Sequence, residues 1–256
     1  MLYRLLLTFS MLCFTFIPID AAPTRNIPPE LLSEYTLEGK IPVVNQYFDG
    51  TYTTPLVYTQ QEISANIMRA IFREKNYYGE TDRYLYYALD ELTDSIRGKE
   101  VALIGSSLPW YESVLLAYGA YPVVIEYNAI QCEDYRITYL TPDQFKENPK
   151  KFDLVLSISS TEHDGLGRYG DPLNPNGDLE SMKNFQSMLN PNGKLLLAIP
   201  VGPDKLYWNA NRVYGPLRLK MLFNGWKIVK YYGFTSEHLT HTPKYQPVFL
   251  LEVKKQ

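Results

Sequence analysis

From Glu100 to the C-terminus the sequence alternates short apolar runs with stretches of helical spacing, and no other feature narrows the fold so far. The runs EVALIG (100–105), YPVVIEY (121–127), FDLVLSIS (152–159) and GKLLLAIP (193–200) are continuous in apolarity, as strands buried on both faces are. Between and after them, YESVLLAYGA (111–120), NGDLESMKNFQSMLN (176–190) and PLRLKMLF (216–223) carry the helical period. This succession predicts βαβ units and a parallel sheet. The last two runs, WKIVKYYGF (226–234) and PVFLLEVKK (247–255), have no helix between them and are expected to form an antiparallel hairpin. The reading is an α/β fold: a doubly wound, mostly parallel, Rossmann-like sheet with an antiparallel C-terminal hairpin, spanning residues 80–256.

Upstream, residues 23–79 are expected to form an extended arm and a helical cover. From Ala22 to Pro55 the chain is rich in Pro, Thr and Asn without a sustained period, so it should wrap the surface and carry little chemistry. Next, QEISANIMRAIFRE places Ile63, Ile67, Ala70 and Ile71 on one helical face. TDRYLYYALDELTDSIRG does the same with Leu85, Leu89, Leu92 and Ile96, and Gly98 closes that helix. Residues 1–22 have Arg4, an apolar run from Leu5 to Pro18 and the small pair Ala21-Ala22, the layout of a secretory signal peptide. Cleavage near Ala21 or Ala22 is the expectation, and an uncleaved signal-anchor is the alternative. The chain is therefore expected in the secretory pathway, secreted or lumenal, with membrane contact only through this segment if it is retained. Cleavage would remove Cys13 and leave Cys132 without an intramolecular partner.

The net charge of −3, with no Lys/Arg block, excludes the clustered positive charge of a nucleic-acid or anionic-membrane footprint. No Gly-x-Ser-x-Gly elbow, Walker loop, His-Glu-x-x-His or Cys-x-x-Cys pair occurs, so hydrolase, triphosphatase, zincin and thiol-redox readings lose their usual support. The 22 tyrosines would suit stacking against sugars or a purine, although many sit in helical stretches where surface packing explains them.

In a doubly wound sheet, ligands sit beyond the carboxyl ends of the strands, near the point where strand order reverses. The first strand and its turn, VALIGSSLPWYE, can turn backbone N–H groups toward such a ligand. Glu126 ends the second strand 21 residues after Gly105, near the ~20-residue interval at which a carboxylate can take both ribose hydroxyls of a nucleoside. A solvated acid at a strand end is the equal alternative.

Over about 170 residues this order of elements resembles the class I S-adenosylmethionine-dependent methyltransferases, with LNPNGKLLLAIP (189–200) similar to their turn-and-strand motif. The segments GSSLPWYE, SISSTEHDGLGRYGDPLNPNGDLE and IPVG with WNANRVYGPLRL resemble a narrower group, domain-of-unknown-function family 268, described from nematode proteins. The resemblance implies a methyltransferase-like fold and S-adenosylmethionine as cofactor, held by Gly105, Ser106, Ser107, Trp110, Glu126 and Tyr127. The glycine turn of the larger family is degraded here: Leu103, Ser107 and Pro109 stand where it has an acid and two glycines. Ser106, Ser107 and the Trp110 ring would then stand in as hydroxyl donors and a stacking wall, or the cofactor site is lost.

The loop after the fourth strand opens on Glu162, His163 and Asp164, a base with an orienting acid that would take a proton from an acceptor hydroxyl or amine. Two other readings stand beside it: turn caps with a backbone-bonded His163, or a metal site completed by Asp171. Arg168 and, from the loop after the fifth strand, Asp204, Trp208, Asn209, Asn211, Arg212 and Tyr214 suit a small or glycan-like polyhydroxyl substrate. His238 and His241 are expected in solvent. The sequence thus supports a methyltransferase acting on a small or sugar-like hydroxyl, with a catalytically silent, possibly carbohydrate-binding module of the same fold as the alternative.

Overall fold

The computed structural model describes residues 24–49, 56–241 and 246–255. The segment 1–22 lies outside them, and no helix of the described residues is long and apolar enough to cross a membrane.

A seven-stranded sheet forms the centre. Its strands are β3 (Glu100–Ile104), β4 (Tyr121–Ile125), β6 (Thr138–Leu140), β7 (Phe152–Ile158), β8 (Leu189–Ala198), β11 (Trp226–Tyr232) and β12 (Val248–Val253), in the spatial order β6-β4-β3-β7-β8-β12-β11. From β6 to β8 every neighbouring pair is parallel, whereas β12 runs antiparallel to both β8 and β11. This is the doubly wound sheet with an inverted terminal hairpin that characterises a methyltransferase-like Rossmann fold. The chain builds outward from β3 through β4 to β6, then returns to lay β7 on the other side of β3. The switch point therefore lies between β3 and β7, and the crevice opens above it.

Side-chain alternation sorts the two cores. Val101, Leu103, Leu154, Leu156 and Leu196 face one side, where α2 (Gln60–Ile71), α3 (Glu80–Ile96) and α4 (Trp110–Ala117) cover them with Ile63, Leu85, Leu89 and Val114. Ala102, Val155, Leu195 and Leu197 face the other, against Met182 and Phe185 of α6 (Gly177–Met188) and Leu219 and Leu222 of α7 (Arg218–Leu222). Successive residues of one strand thus bury into opposite layers, which is why the runs are continuous in apolarity. Short α5 (Pro142–Glu147) follows β6, started by a capping box between Thr141 and Gln144. At the outer edge, the middle of β11 is exposed and carries Lys227 and Lys230, charges that discourage further strand pairing.

The cover departs from expectation in three ways. Leu85, Leu89, Leu92 and Ile96 are buried as the helical stripe predicts, but Ile71 is 55% exposed, and Asn66 takes the inward place beside Ile63 and Ala70. The Pro-rich arm contains a helix, α1 (Pro29–Tyr35), started by Pro residues that need no N–H donor there. It also supplies strand β1 (Val43–Gln46), which pairs in parallel with β9 (Lys205–Asn209); β10 (Asn211–Val213) runs antiparallel to β9. A second small pair joins β2 (Leu56–Tyr58) to β5 (Ile130–Cys132). Tyr35 and Ile41 of the arm share a third buried cluster with Leu166, Leu206 and Trp208, tying the arm to the loops above the sheet.

Candidate functional site

A cavity of about 970 Å³ opens at the carboxyl ends of β3, β4 and β7. Its size is at the upper end for small-molecule sites, about 300–1,000 Å³, enough for a nucleoside-sized ligand and a second small molecule together.

The β3 turn forms its floor. Gly105 has φ +63° there, and a side chain on it would begin 2.1 Å from Ser160 Oγ, so glycine is required both by conformation and by the residue above it. Ser106 is buried, with Oγ 3.0 Å from the Leu108 carbonyl and 3.0 Å from Glu112 Oε2. Glu112 lies behind the turn, wholly buried, and accepts a hydrogen bond from the Tyr139 hydroxyl at 3.0 Å. Burial pushes its carboxyl up to about 7. Trp110 opens α4 and lines the cavity, with the Arg69 guanidinium 4.9 Å over its ring. Across the turn, Glu126 lines the opposite wall beside Tyr127. Its Oε1 accepts from the Asn128 amide at 3.0 Å and from Asn128 Nδ2 at 2.9 Å. Burial raises the Glu126 carboxyl, opposed by Asn128 and by the amides of Tyr127 and Ser106.

The β7 loop forms the remaining wall. Ser159, held at φ +51°, donates to Glu162 Oε1 at 2.6 Å, and His163 Nε2 stands 3.8 Å from the same oxygen. His163 Nδ1 is 2.5 Å from the Ala210 carbonyl, which can only accept; the proton therefore sits on Nδ1, and Nε2 is the basic nitrogen of the ring. The same carbonyl accepts from Arg168 Nη1 at 3.2 Å, and the Arg168 guanidinium lies 4.2 Å over Phe48 and 4.9 Å over Tyr169. Asp164 also lines the cavity, half-buried. Desolvation, with smaller contributions from Asp171 and Asp178, pushes its carboxyl up to about 8, so near neutrality it is a protonated donor, not an orienting anion. Asp171 turns its carboxylate to the backbone amides of Gly165 at 2.6 Å and Gly167 at 3.2 Å, shaping the loop. Among the described residues, no three His, Cys, Asp or Glu side chains gather as a metal would need.

Several residues expected on the substrate side lie elsewhere. The segment after β8 is the β9–β10 hairpin, and its polar and aromatic groups serve partners within the fold. Trp208 is 1% exposed, edge-on to Tyr35 at 5.2 Å, with Nε1 donating to the Thr24 carbonyl at 3.1 Å. Asn209 holds Phe48 through both its amide and its carbonyl, at 2.8 and 3.0 Å. Arg212 donates to the Asp164 carbonyl at 2.6 Å and to those of Asn174 and Pro175, and Tyr214 donates to Asp178 at 3.1 Å. Asp204 accepts from the amides of Gly215, Leu217 and Arg218. Of the hairpin residues named from the sequence, Asn211 alone reaches the cavity. His238 and His241 sit in the β11–β12 connection, partly or fully exposed.

Sequence reasoning missed the rim contributed by the cover. Asn76, Tyr77 and Tyr78, between α2 and α3, line the cavity together with Tyr111 of α4. Buried Asp82 organises them, accepting from the Asn76 amide at 2.5 Å and the Tyr111 hydroxyl at 2.9 Å, while Tyr78 stacks on Tyr111 at 6.5 Å. The Tyr78 hydroxyl meets Ser159 beside Glu162. The tyrosine-rich composition was the one available signal, and it did not say which of the 22 would converge.

The profile of a family described as "Caenorhabditis protein of unknown function, DUF268" matches residues 98–246. No curated protein matches the chain. Among solved structures, it is similar to 1,6-didemethyltoxoflavin-N1-methyltransferase from Burkholderia thailandensis (14% identity, 82% of this chain and 99% of that one, TM-score 0.46). It is similar also to the N-methyltransferase NodS from Bradyrhizobium japonicum WM9 (14% identity, 69% and 98%, TM-score 0.45). A third is ribosomal protein L11 methylase from Lactobacillus delbrueckii subsp. bulgaricus (13% identity, 69% and 80%, TM-score 0.44). At these identities the likeness concerns the path of the chain and not its chemistry.

Proposed function

The chain belongs to the family of Caenorhabditis proteins of unknown function, DUF268, and we propose that it is an S-adenosylmethionine-dependent methyltransferase acting on a small or sugar-like hydroxyl acceptor. The observation that carries this reading is the convergence of Glu126 and the Glu162–His163 pair on one cavity above the switch point.

The residues present fit such a cofactor. Glu126 Oε1 accepts twice from Asn128, and the amides of Tyr127 and Ser106 help to fix the carboxylate in the cavity wall, where it would face the paired hydroxyls of a ribose. Ile104, Ile125 and Phe145 give an apolar wall for a purine, and Ser107 offers a hydroxyl where a glycine is missing, the Ser106 hydroxyl being turned to Glu112 and the Leu108 carbonyl. Ser160 occupies the face of Gly105, so the amino-acid end is assigned to Ser107 and not to Gly105 itself. When bound, the cofactor supplies an electrophilic methyl group on a sulfonium. For their part, the chain's residues manage the acceptor. His163 Nε2 takes the hydroxyl proton, the Ala210 carbonyl keeps the ring in the right tautomer, and Glu162 favours the imidazolium that forms. Tyr77, Tyr78 and Tyr111 give the acceptor an amphipathic aromatic surface, and Arg168 adds a cation to the lining.

The second reading, a silent binding module, is favoured by the same turn, where Leu103 lacks a carboxylate and Ser160 closes over Gly105. Calorimetry with S-adenosylmethionine and S-adenosylhomocysteine separates the two. The enzyme reading expects saturable binding below millimolar ligand, and no heat at that concentration would leave the binding module. From the segment 1–22 we also place the protein in the secretory pathway, testable by the N-terminal sequence of material recovered from cells.

A further inference from the structure

The arginines around the β7 loop spend their donors differently. Arg212 and Arg218 share the buried Asp178 carboxylate and donate to the backbone carbonyls of Asp164, Asn174 and Pro175. Arg168, half-buried in the cavity lining, has no such company. Its Nη1 donates to the Ala210 carbonyl at 3.2 Å, and its other contacts are the rings of Phe48 at 4.2 Å and Tyr169 at 4.9 Å. A ring face holds a guanidinium in place without consuming an N–H or supplying a full negative charge. The N–H groups on Nε and Nη2 therefore meet no protein acceptor among the described residues, and no carboxylate there lies within ion-pair reach. The nearby acids are engaged elsewhere: Asp171 accepts from the amides of Gly165, Gly167 and Tyr169, and Glu162 accepts from Ser159. Lys146, the other cation of the lining, is paired with Asp143 at 3.1 Å. A second donor of the lining, Gln246 Nε2, is buried with no acceptor among the described residues.

We propose that Arg168 anchors an anionic group of the acceptor, so that the substrate is a hydroxyl compound carrying a carboxylate or phosphate, of the uronic-acid or sugar-phosphate kind, and not a neutral sugar. The inference rests on the acceptor reading given above. Position supports it. Arg168 Nη1 and His163 Nδ1 close on the same Ala210 oxygen, at 3.2 and 2.5 Å, so one atom sets the cation and the base side by side. Tyr169 touches both, its ring edge-on to His163 at 5.4 Å and against the Arg168 guanidinium. A hydroxyl at His163 and an anion at Arg168 can then belong to one small molecule in the cavity. The planar fork of a guanidinium meets two oxygens of a carboxylate or phosphate together. Its partial burial lifts the pair above the weak level of exposed ion pairs, and the Gln246 amide adds a donor for a further oxygen of the ligand.

The test is calorimetry on the full chain at neutral pH, with and without S-adenosylhomocysteine, against probes of similar shape: D-glucuronate, D-glucose 6-phosphate and neutral D-glucose. The wild type should bind at least one of the anions about tenfold or more tightly than glucose, the worth of a charge-assisted hydrogen bond. Which anion binds more tightly tells carboxylate from phosphate. Arg168→Gln should weaken that anion about tenfold with little change for glucose. Should this variant fail to fold, Arg168→Lys keeps the charge, loses the fork, and should still weaken the anion about threefold or more. Equal affinity of the wild type for all the probes overturns the proposal, as does failure of both anions to bind at millimolar ligand. So does an anion affinity that the variant leaves unchanged, or a loss shared equally by glucose, which would make Arg168 a brace for the loop. S-adenosylmethionine is titrated on the same preparation. If it binds and the anion preference is absent, the cofactor reading stands alone; if the preference holds and it does not bind, the anion site stands and the enzyme reading fails.

Discussion

Ser160 Oγ stands 2.1 Å from the point where a side chain on Gly105 would begin. The two residues belong to the turns after β3 and β7, neighbouring strands whose separation the sheet fixes, so neither can retreat. Gly105→Ala should therefore combine the strain of φ +63° with overpacking and destabilise the protein by about 2–4 kcal/mol. The shift of the urea midpoint at unchanged slope measures it. A loss under 1 kcal/mol would mean that the turn moves freely.

His163→Ala should lower turnover by about 10²–10⁴-fold while leaving cofactor affinity within a factor of about two, because a base acts on the acceptor and not on the cofactor. Single-turnover rates and calorimetry on the same preparation separate the two effects. Equal losses in both would return His163 to a purely architectural role through Ala210.

Glu126→Gln should weaken S-adenosylmethionine binding by about 1.5–3 kcal/mol, the range for hydrogen bonds to a charged group, with the melting temperature nearly unchanged. Gln retains a carbonyl oxygen for Asn128, so local structure survives. A large fall in melting temperature with unaltered binding would assign the residue to the fold.

Asp178 is fully buried between Arg218, whose Nε donates to it at 3.0 Å, and Arg212 at 3.7 Å, and these cations hold its carboxyl below the ordinary range. Asp178→Asn leaves two guanidinium groups without their counter-charge under α6 and should cost about 3–5 kcal/mol. Denaturant unfolding reads this directly. The same variant should loosen the loop bearing Glu162 and His163, which Arg212 braces through the Asp164 carbonyl.

Asp164 sets a pH dependence of stability. Its carboxyl titrates near 8 in the folded protein, against an ordinary 3.8, so between those values the native state holds a proton that the unfolded chain has lost. The contribution is fully present below pH 4 and falls as pH rises, at up to about 1.4 kcal/mol per pH unit, until it levels off above 8. Asp164→Asn should flatten unfolding free energy against pH over that window. An unchanged profile would show that Asp164 ionises freely into the cavity.

The sheet was legible because burial on both faces writes itself as unbroken apolar runs, and the cavity's position followed from the strand-end rule. What the sequence hid was direction. Trp208 and Arg212 are the residue types that bind ligands, but the same chemistry equally serves a hairpin that must satisfy the Thr24, Asp164 and Pro175 carbonyls. Ile71 fits the helical stripe of α2, but the stripe is wider than the face that packs on α4, so it points outward. Asn76 to Tyr78 reach the cavity, and Tyr78 reaches Ser159, only through the packing of α2 on α4 and α3 on the sheet, a relation no local pattern carries. Glu112 stands within an apolar helix start, and only its contact with Ser106 distinguishes it.

Strand β1 pairs with β9, and Phe48 bonds Asn209 across 161 residues of chain. During synthesis the arm emerges early and has no partner until the β9–β10 hairpin follows it, by which time β3, β4, β6, β7 and β8 are already complete. The parallel part of the sheet can thus assemble while the Glu162–His163 loop still lacks the Ala210 carbonyl and the Phe48 ring that hold it. The arm acts as a latch thrown after the parallel strands, so a chain ended before the β9–β10 hairpin would possess that part of the scaffold without a finished site.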